Sequence, residues 1–194
     1  MNDHFKEQLQ LLDIEIMAKD ADIAIVDDDF SFSLLMKDYL IQSCDFEAAL
    51  FEVALSLTKQ VARDGEGAEK LIEVCVDKAR DESQAKLVAK SIVNSPLVKT
   101  AVHGADPNWG RVAMAVGKCS NERDIDESKV VIRFGTQEVY PKSVDASGLA
   151  ALSQYMRSDT VRIHVTLNIG EADCTVWGCD LTDGYVRINA DYTT

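Results

Sequence analysis

The sequence predicts an α+β domain, a layered sandwich in which helices cover a mainly antiparallel sheet. Three observations lead there. Residues 46–61 and 85–92 repeat apolar side chains every three or four positions, as helices laid on a sheet require. The last third alternates apolar and polar residues in short runs, the pattern of half-buried strands. No internal repeat, low-complexity run or linker interrupts the chain.

Taken in order, residues 1–20 carry a weak helical pattern through Phe5, Leu9, Leu12 and Ile16. Asp20 to Val26 reads as a short strand that stops at Asp27-Asp28-Asp29. Clustered carboxylates invite a magnesium reading, but no glycine hinge or spaced ligand loop accompanies them. A solvated turn leading into a helix over Phe30 to Ile41 is favoured instead. Asp45 then caps an amphipathic helix built on Phe46, Ala49, Leu50, Val53, Leu57 and Val61, which ends at Arg63-Asp64-Gly65-Glu66-Gly67. Leu71 to Val76 is a strand with a mostly apolar face.

Asp81 opens a helix through Ala85, Val88, Ala89 and Ile92, halted by Asn94-Ser95-Pro96 because the residue before proline is pushed out of helical geometry. After Leu97 to Ala101 and a polar turn from His103 to Gly110, Arg111 to Gly117 forms a short helix. Val130 to Phe134 and Glu138 to Tyr140 make a hairpin about Gly135-Thr136-Gln137. Asp145 caps a helix through Leu149, Leu152 and Met156. Val161 to Ile169 and Ala172 to Trp177 are strands, and Thr182-Asp183-Gly184 turns into a last strand. That strand sets Tyr185, Arg187 and Asn189 on one side and Val186, Ile188 and Ala190 on the other. By domain, residues 1–43 read as a divergent N-terminal segment and residues 44–194 as the main domain.

A chain of 194 residues buries a core without staples. Its apolar share of 46% and charged share of 27% are those of a globular protein. A net charge of -13 disfavours nucleic-acid and anionic-membrane partners, which need a basic face. The five cysteines are odd in number and scattered, so they are expected to be reduced thiols. Cys174 and Cys179 lie in one strand-like stretch with only three histidines in the chain, and no metal site is expected. No apolar run near Met1 has the length of a signal peptide or a membrane span, so the cytoplasm is the expected compartment.

Three polar segments hold residues that a plain loop does not require. In Asp64-Gly65-Glu66-Gly67-Ala68, two glycines flank a carboxylate and let the backbone come close to a ligand. Glu66 in that setting suits an ammonium group, although a glycine helix cap followed by a turn has the same sequence. The run from His103 to Arg111 gathers His, Asp, Asn, Trp and Arg at a helix entrance. Asp106 or Asn108 could cap that helix, and Arg111 could hold a carboxylate through two parallel bonds. Equally, Asp106 and Asn108 only cap, Trp109 is core and Arg111 pairs at the surface. The third segment is the tail, with Asn189 and Thr194; it is either one end of a site or a strand that merely packs.

Together these segments resemble the C-terminal chain of ornithine acetyltransferase, the bifunctional glutamate N-acetyltransferase of arginine biosynthesis. The resemblance runs through Val61 to Ala68 (VARDGEGA), Ala89 to Arg111 (AKSIVNSPLVKTAVHGADPNWGR), Trp177 to Thr182 (WGCDLT) and Tyr185 to Thr194 (YVRINADYTT). It covers about three quarters of the chain. It implies the α+β fold of that family's β chain and a two-step acetyl transfer. A threonine exposed by self-cleavage takes acetyl from N-acetylornithine and passes it to glutamate, an acyl-enzyme route that divides one hard step into two. By motif, Glu66, Asn189 and Thr194 match the family's substrate contacts, with Asp106, Asn108 and Arg111 as secondary candidates. The small-molecule partners implied are N-acetylornithine and glutamate, with acetyl-CoA an open alternative donor, and no cofactor is expected.

The chain departs from the pattern in two places. Glu69 stands where the family has threonine, and the Lys-Gly…Ala-Thr-Met segment that carries the nucleophile is not among the 194 residues. Thr58, the first threonine, lies inside a predicted helix. The nucleophile is therefore expected from an α-type partner chain, in a homo- or hetero-oligomer. The alternative is a non-catalytic homologue that binds an amino acid or a partner subunit.

Overall fold

The computed structural model describes residues 15–19, 22–26, 44–119 and 121–191. The chain divides into two units, Met1–Gln60 and Val61–Thr194. In the first, β1 (Glu15–Lys19) pairs antiparallel with β2 (Asp22–Val26), from Glu15 opposite Val26 to Lys19 opposite Asp22. Ile16, expected on a helix, lies in β1: a widely spaced apolar pattern is weak, and pairing with the β-branched run of β2 overrides it. The acidic run Asp27-Asp28-Asp29 and the helix expected over Phe30 to Ile41 lie outside the described residues. Helix α1 (Cys44–Arg63) forms over the predicted stretch but starts before Asp45, which is its second residue and not its cap, and Val53, Leu57 and Val61 of its apolar stripe are exposed.

The second unit is built on a five-stranded mixed sheet. Its strands are β3 (Leu71–Ala79), β4 (Val131–Phe134), β5 (Gln137–Tyr140), β6 (Thr160–Thr166) and β7 (Ala172–Cys179), in the order β5-β4-β6-β3-β7. Only β3 with β6 is parallel; the other three pairings are antiparallel. Register sorts the side chains into two faces, because successive residues of a strand point to opposite sides. Ile72, Val74 and Val76 of β3 share a face with Val161, Ile163 and Val165 of β6, and with Ile132 and Phe134 of β4, all buried.

Helices α2 (Glu82–Val93), α3 (Pro96–His103) and α4 (Trp109–Gly117) contribute Ala85, Val88, Ala89, Ile92, Val98, Val102, Val112 and Ala115 to the same core. Small residues let these layers approach. A Cβ on Gly178 of β7 would stand 2.7 Å from Val93 Cγ2, and Ser91 Oγ donates to the Ala115 carbonyl of α4 at 2.6 Å. The opposite face of the sheet is polar: Glu73, Cys75 and Asp77 of β3 lie beside Arg162, His164 and Thr166 of β6. Glu73 is buried there because Arg162 Nε and Trp177 Nε1 both donate to it.

Helices start where the sequence carries caps. Asp81 Oδ1 accepts from Gln84 N at 2.8 Å, and Asp145 Oδ1 accepts from Gly148 N at 2.8 Å to open α5 (Ala146–Tyr155). A further expectation fails at the tail. Tyr185 to Ala190 is no strand but part of helix α6 (Asp183–Ala190), capped by Thr182, whose Oγ1 accepts from Tyr185 N at 3.1 Å. Alternation over six residues is too short to exclude a helix, and the Thr-Asp start satisfies orphan helix N–H groups that a strand would not have.

Replacing Ile72, fully buried on the central strand, with alanine is expected to cost about 2–5 kcal/mol in urea unfolding, against roughly 0.5 kcal/mol or less for Leu87→Ala on the exposed side of α2. The Gly148 N–H and Ser147 hydroxyl hold the Asp145 carboxyl below its ordinary value. A group depressed in the folded state stabilises above its unfolded value and loses that contribution as pH falls through the folded one. Asp145→Asn should therefore flatten the acid limb of a stability–pH profile below about pH 4 and leave its slope near neutrality unchanged.

Candidate functional site

Glu66 sits on the turn between α1 and β3, and the two glycines beside it explain how that turn is placed. A Cβ on Gly65 would lie 2.4 Å from Cys179 Sγ at the end of β7. Gly67 has φ +67°, and a Cβ there would lie 2.6 Å from Tyr185 N and 2.8 Å from Gly184 C. Only glycine at both positions lets the turn lie flat on the β7–α6 junction. Thr182 fastens it from the other side: its hydroxyl donates to the Gly67 carbonyl at 2.6 Å while capping α6.

The start of β3 is pinned in the same way. Asp180, whose side chain is fully buried, accepts from Glu69 N at 2.9 Å and from Lys70 N at 3.0 Å through Oδ1. Lys70 Nζ donates to the carbonyls of Val102, His103 and Met156 at 2.8, 3.2 and 3.0 Å. A cation is thereby placed at the negative end of α3.

The result joins residues that are 123 apart in sequence. Asn189 Nδ2 donates to Glu66 Oε2 at 2.8 Å and to the Tyr185 carbonyl of its own helix at 2.9 Å. The first bond orients the carboxylate and the second fixes the amide. Both residues are exposed to solvent. Thr194 lies outside the described residues.

Asp106, Asn108 and Arg111 form a separate group. Asn108 caps α4 by accepting from Arg111 N at 3.3 Å, and its Nδ2 donates to Asp106 Oδ2 at 3.1 Å. Arg111 Nη1 donates to the Leu97 carbonyl at 2.8 Å and to Thr100 Oγ1 at 3.1 Å, which ties α4 to α3. Trp109 is 42% exposed and stacks on Tyr140 with ring centroids 4.9 Å apart. Sequence reading missed Asp180 and Lys70, whose partners are backbone atoms of distant segments. Thr182 carried a visible signal as a Thr-Asp helix cap.

Residues 17–194 match the ArgJ family. The chain belongs to the ArgJ family. It is 59% identical over 154 residues to the arginine biosynthesis bifunctional protein ArgJ 2 of Nostoc, and 57% identical over 159 residues to the glutamate N-acetyltransferase Oat2 of Streptomyces clavuligerus. Each match takes in 79% of this chain and 40% of the relative, so the chain spans about two fifths of the length of these curated relatives. Among solved structures, the Bacillus halodurans arginine biosynthesis bifunctional protein superposes with a TM-score of 0.70 at 42% identity, covering 76% of this chain and 70% of that one. The α+β fold with its mixed sheet is thus an ArgJ fold.

Gly67→Ala would force a side chain into a backbone contact at a left-handed position. It is expected to cost about 1–3 kcal/mol and to raise amide exchange in the first turn of α6 while α2 stays protected, which hydrogen-exchange mass spectrometry would resolve.

Proposed function

We propose that this chain forms the amino-acid-binding part of an ornithine acetyltransferase, acting in arginine biosynthesis to move acetyl from N-acetylornithine to glutamate. The observation that carries this reading is the Asn189–Glu66 hydrogen bond, which brings two separate family motifs into contact. Among the described residues no Lys or Arg pairs with Glu66, so its charge is available to an ammonium group on the substrate. An amide donor preserves that charge, whereas an arginine partner would neutralise it. The Glu66 carboxylate holds the ammonium, Asn189 fixes the carboxylate, and Thr194 supplies a hydroxyl toward the amino-acid moiety. Holding the substrate this way lowers the entropy cost of presenting its acetyl group to a nucleophile.

The nucleophilic threonine is supplied by an α-type partner chain. Helix α6 is suited to such an assembly: none of its residues is buried, and Tyr185, Val186 and Ile188 are 42%, 58% and 45% exposed on the helix whose Asn189 bonds Glu66. Apolar side chains grouped at the rim of a polar site fit a contact surface. The test mixes the chain with an α-type chain of the family and follows acetyl transfer from N-acetylornithine to glutamate. Transfer supports the reading; its absence with retained calorimetric binding of ornithine or glutamate identifies a non-catalytic amino-acid binder.

Glu66→Gln should weaken ornithine binding by about 10–100-fold, the worth of a hydrogen bond to a charged group, with unchanged thermal unfolding. Asn189→Ala should produce a smaller loss in the same titration. Undiminished affinity in both variants would remove Glu66 from the site.

A further inference from the structure

Beside the Glu66 turn, three segments bring ligand-type atoms within 4.8 Å of one another. Asp180 closes β7, His103 ends α3 and Glu69 leads into β3. His103 Nδ1 lies 3.4 Å from Asp180 Oδ2 and 3.6 Å from Glu69 Oε2. The Asp180 side chain is completely buried, yet its Oδ2 makes no hydrogen bond, and neither does the buried Nδ1 of His103. A buried carboxylate oxygen without a donor is costly unless something else satisfies it. Lys70, the nearest cation in sequence, spends its ammonium on the carbonyls of Val102, His103 and Met156.

We propose that Glu69, His103 and Asp180 form a zinc site. Zinc takes imidazole nitrogen and carboxylate oxygen at about 2.0–2.2 Å, and tetrahedral ligands at those lengths stand about 3.4 Å apart, close to the two spacings found here. Six-coordinate magnesium would bring them nearer, and calcium prefers an all-oxygen shell. Of the three ligands, Asp180 is oriented by the protein around it. Asp180 Oδ1 is fixed by the Glu69 and Lys70 amides, and the other ring nitrogen of His103 faces Asp183 Oδ1 at 4.0 Å. Bound zinc would join the end of α3, the start of β3 and the β7–α6 junction, with a fourth position left for water.

This proposal goes beyond the amino-acid-binding reading and does not depend on it. The full chain is stripped with a chelator, then titrated with zinc by calorimetry and with cobalt by absorbance. One zinc per chain is expected, with a cobalt spectrum free of thiolate charge transfer, which separates this site from the cysteines. Affinity should fall at least about tenfold in His103→Gln and in Glu69→Thr, each checked for native circular dichroism. Absent binding, a thiolate signature, or a smaller loss in either variant overturns the proposal. Neither substitution touches Glu66 or Asn189, so ornithine titration of the same variants reports on the other site separately.

Discussion

Strand β3 is the constraint on which the second unit depends. It is hydrogen-bonded on both edges, parallel to β6 and antiparallel to β7, so its register fixes both neighbours at once. Ile72, Val74 and Val76 are fully buried on its core side, which makes a slip by one residue prohibitive: every buried branched side chain would exchange places with Glu73, Cys75 or Asp77. With β7 locked in this way, its end delivers Asp180 to the backbone entering β3, and the same short connection delivers Thr182 to the Glu66 turn. The geometry of the candidate site is therefore inherited from the sheet.

How the site is assembled explains what could be read from the sequence. The amphipathic helices, the aspartate caps at Asp81 and Asp145, and the hairpin at residues 130–140 are local signals, each complete within a few residues, and they formed where the sequence placed them. The glycines beside Glu66 were legible as an opportunity for close approach, though the partner was not. That Gly67 rests on the backbone of Gly184 and Tyr185 is a contact across the whole unit. Asp180 was invisible for the same reason, since nothing near it in sequence says that it will accept two amides from residues 69 and 70.

The tail shows the limit from the other direction. Tyr185 to Ala190 alternates apolar and polar side chains, and a strand would have placed Tyr185 and Asn189 on one side. A helix also does so, because residues four apart lie one above the other. The helix adds what a strand lacks: the Tyr185 carbonyl becomes an acceptor for the Asn189 amide and holds it toward Glu66. The pairing of Glu66 with Asn189 was thus legible through the motif, while the secondary structure that produces it was decided by the Thr182 cap.

Two glutamates in this unit have opposite surroundings, and the contrast argues for what each does. Glu73 is buried, receives the guanidinium of Arg162 and the indole N–H of Trp177, and its charge is spent within the protein. Glu66 is exposed and receives a neutral amide. An ion pair that satisfies itself can hold strands together but has little attraction left for a ligand, whereas a carboxylate oriented without being neutralised keeps its full field at the mouth of the site. The chain's large negative charge does not by itself select a cationic ligand, because screening fades such a field within about 8–10 Å in physiological salt. Selection has to come from contact, and of these two carboxylates Glu66 is the exposed one, oriented by Asn189 and with no Lys or Arg paired to it among the described residues.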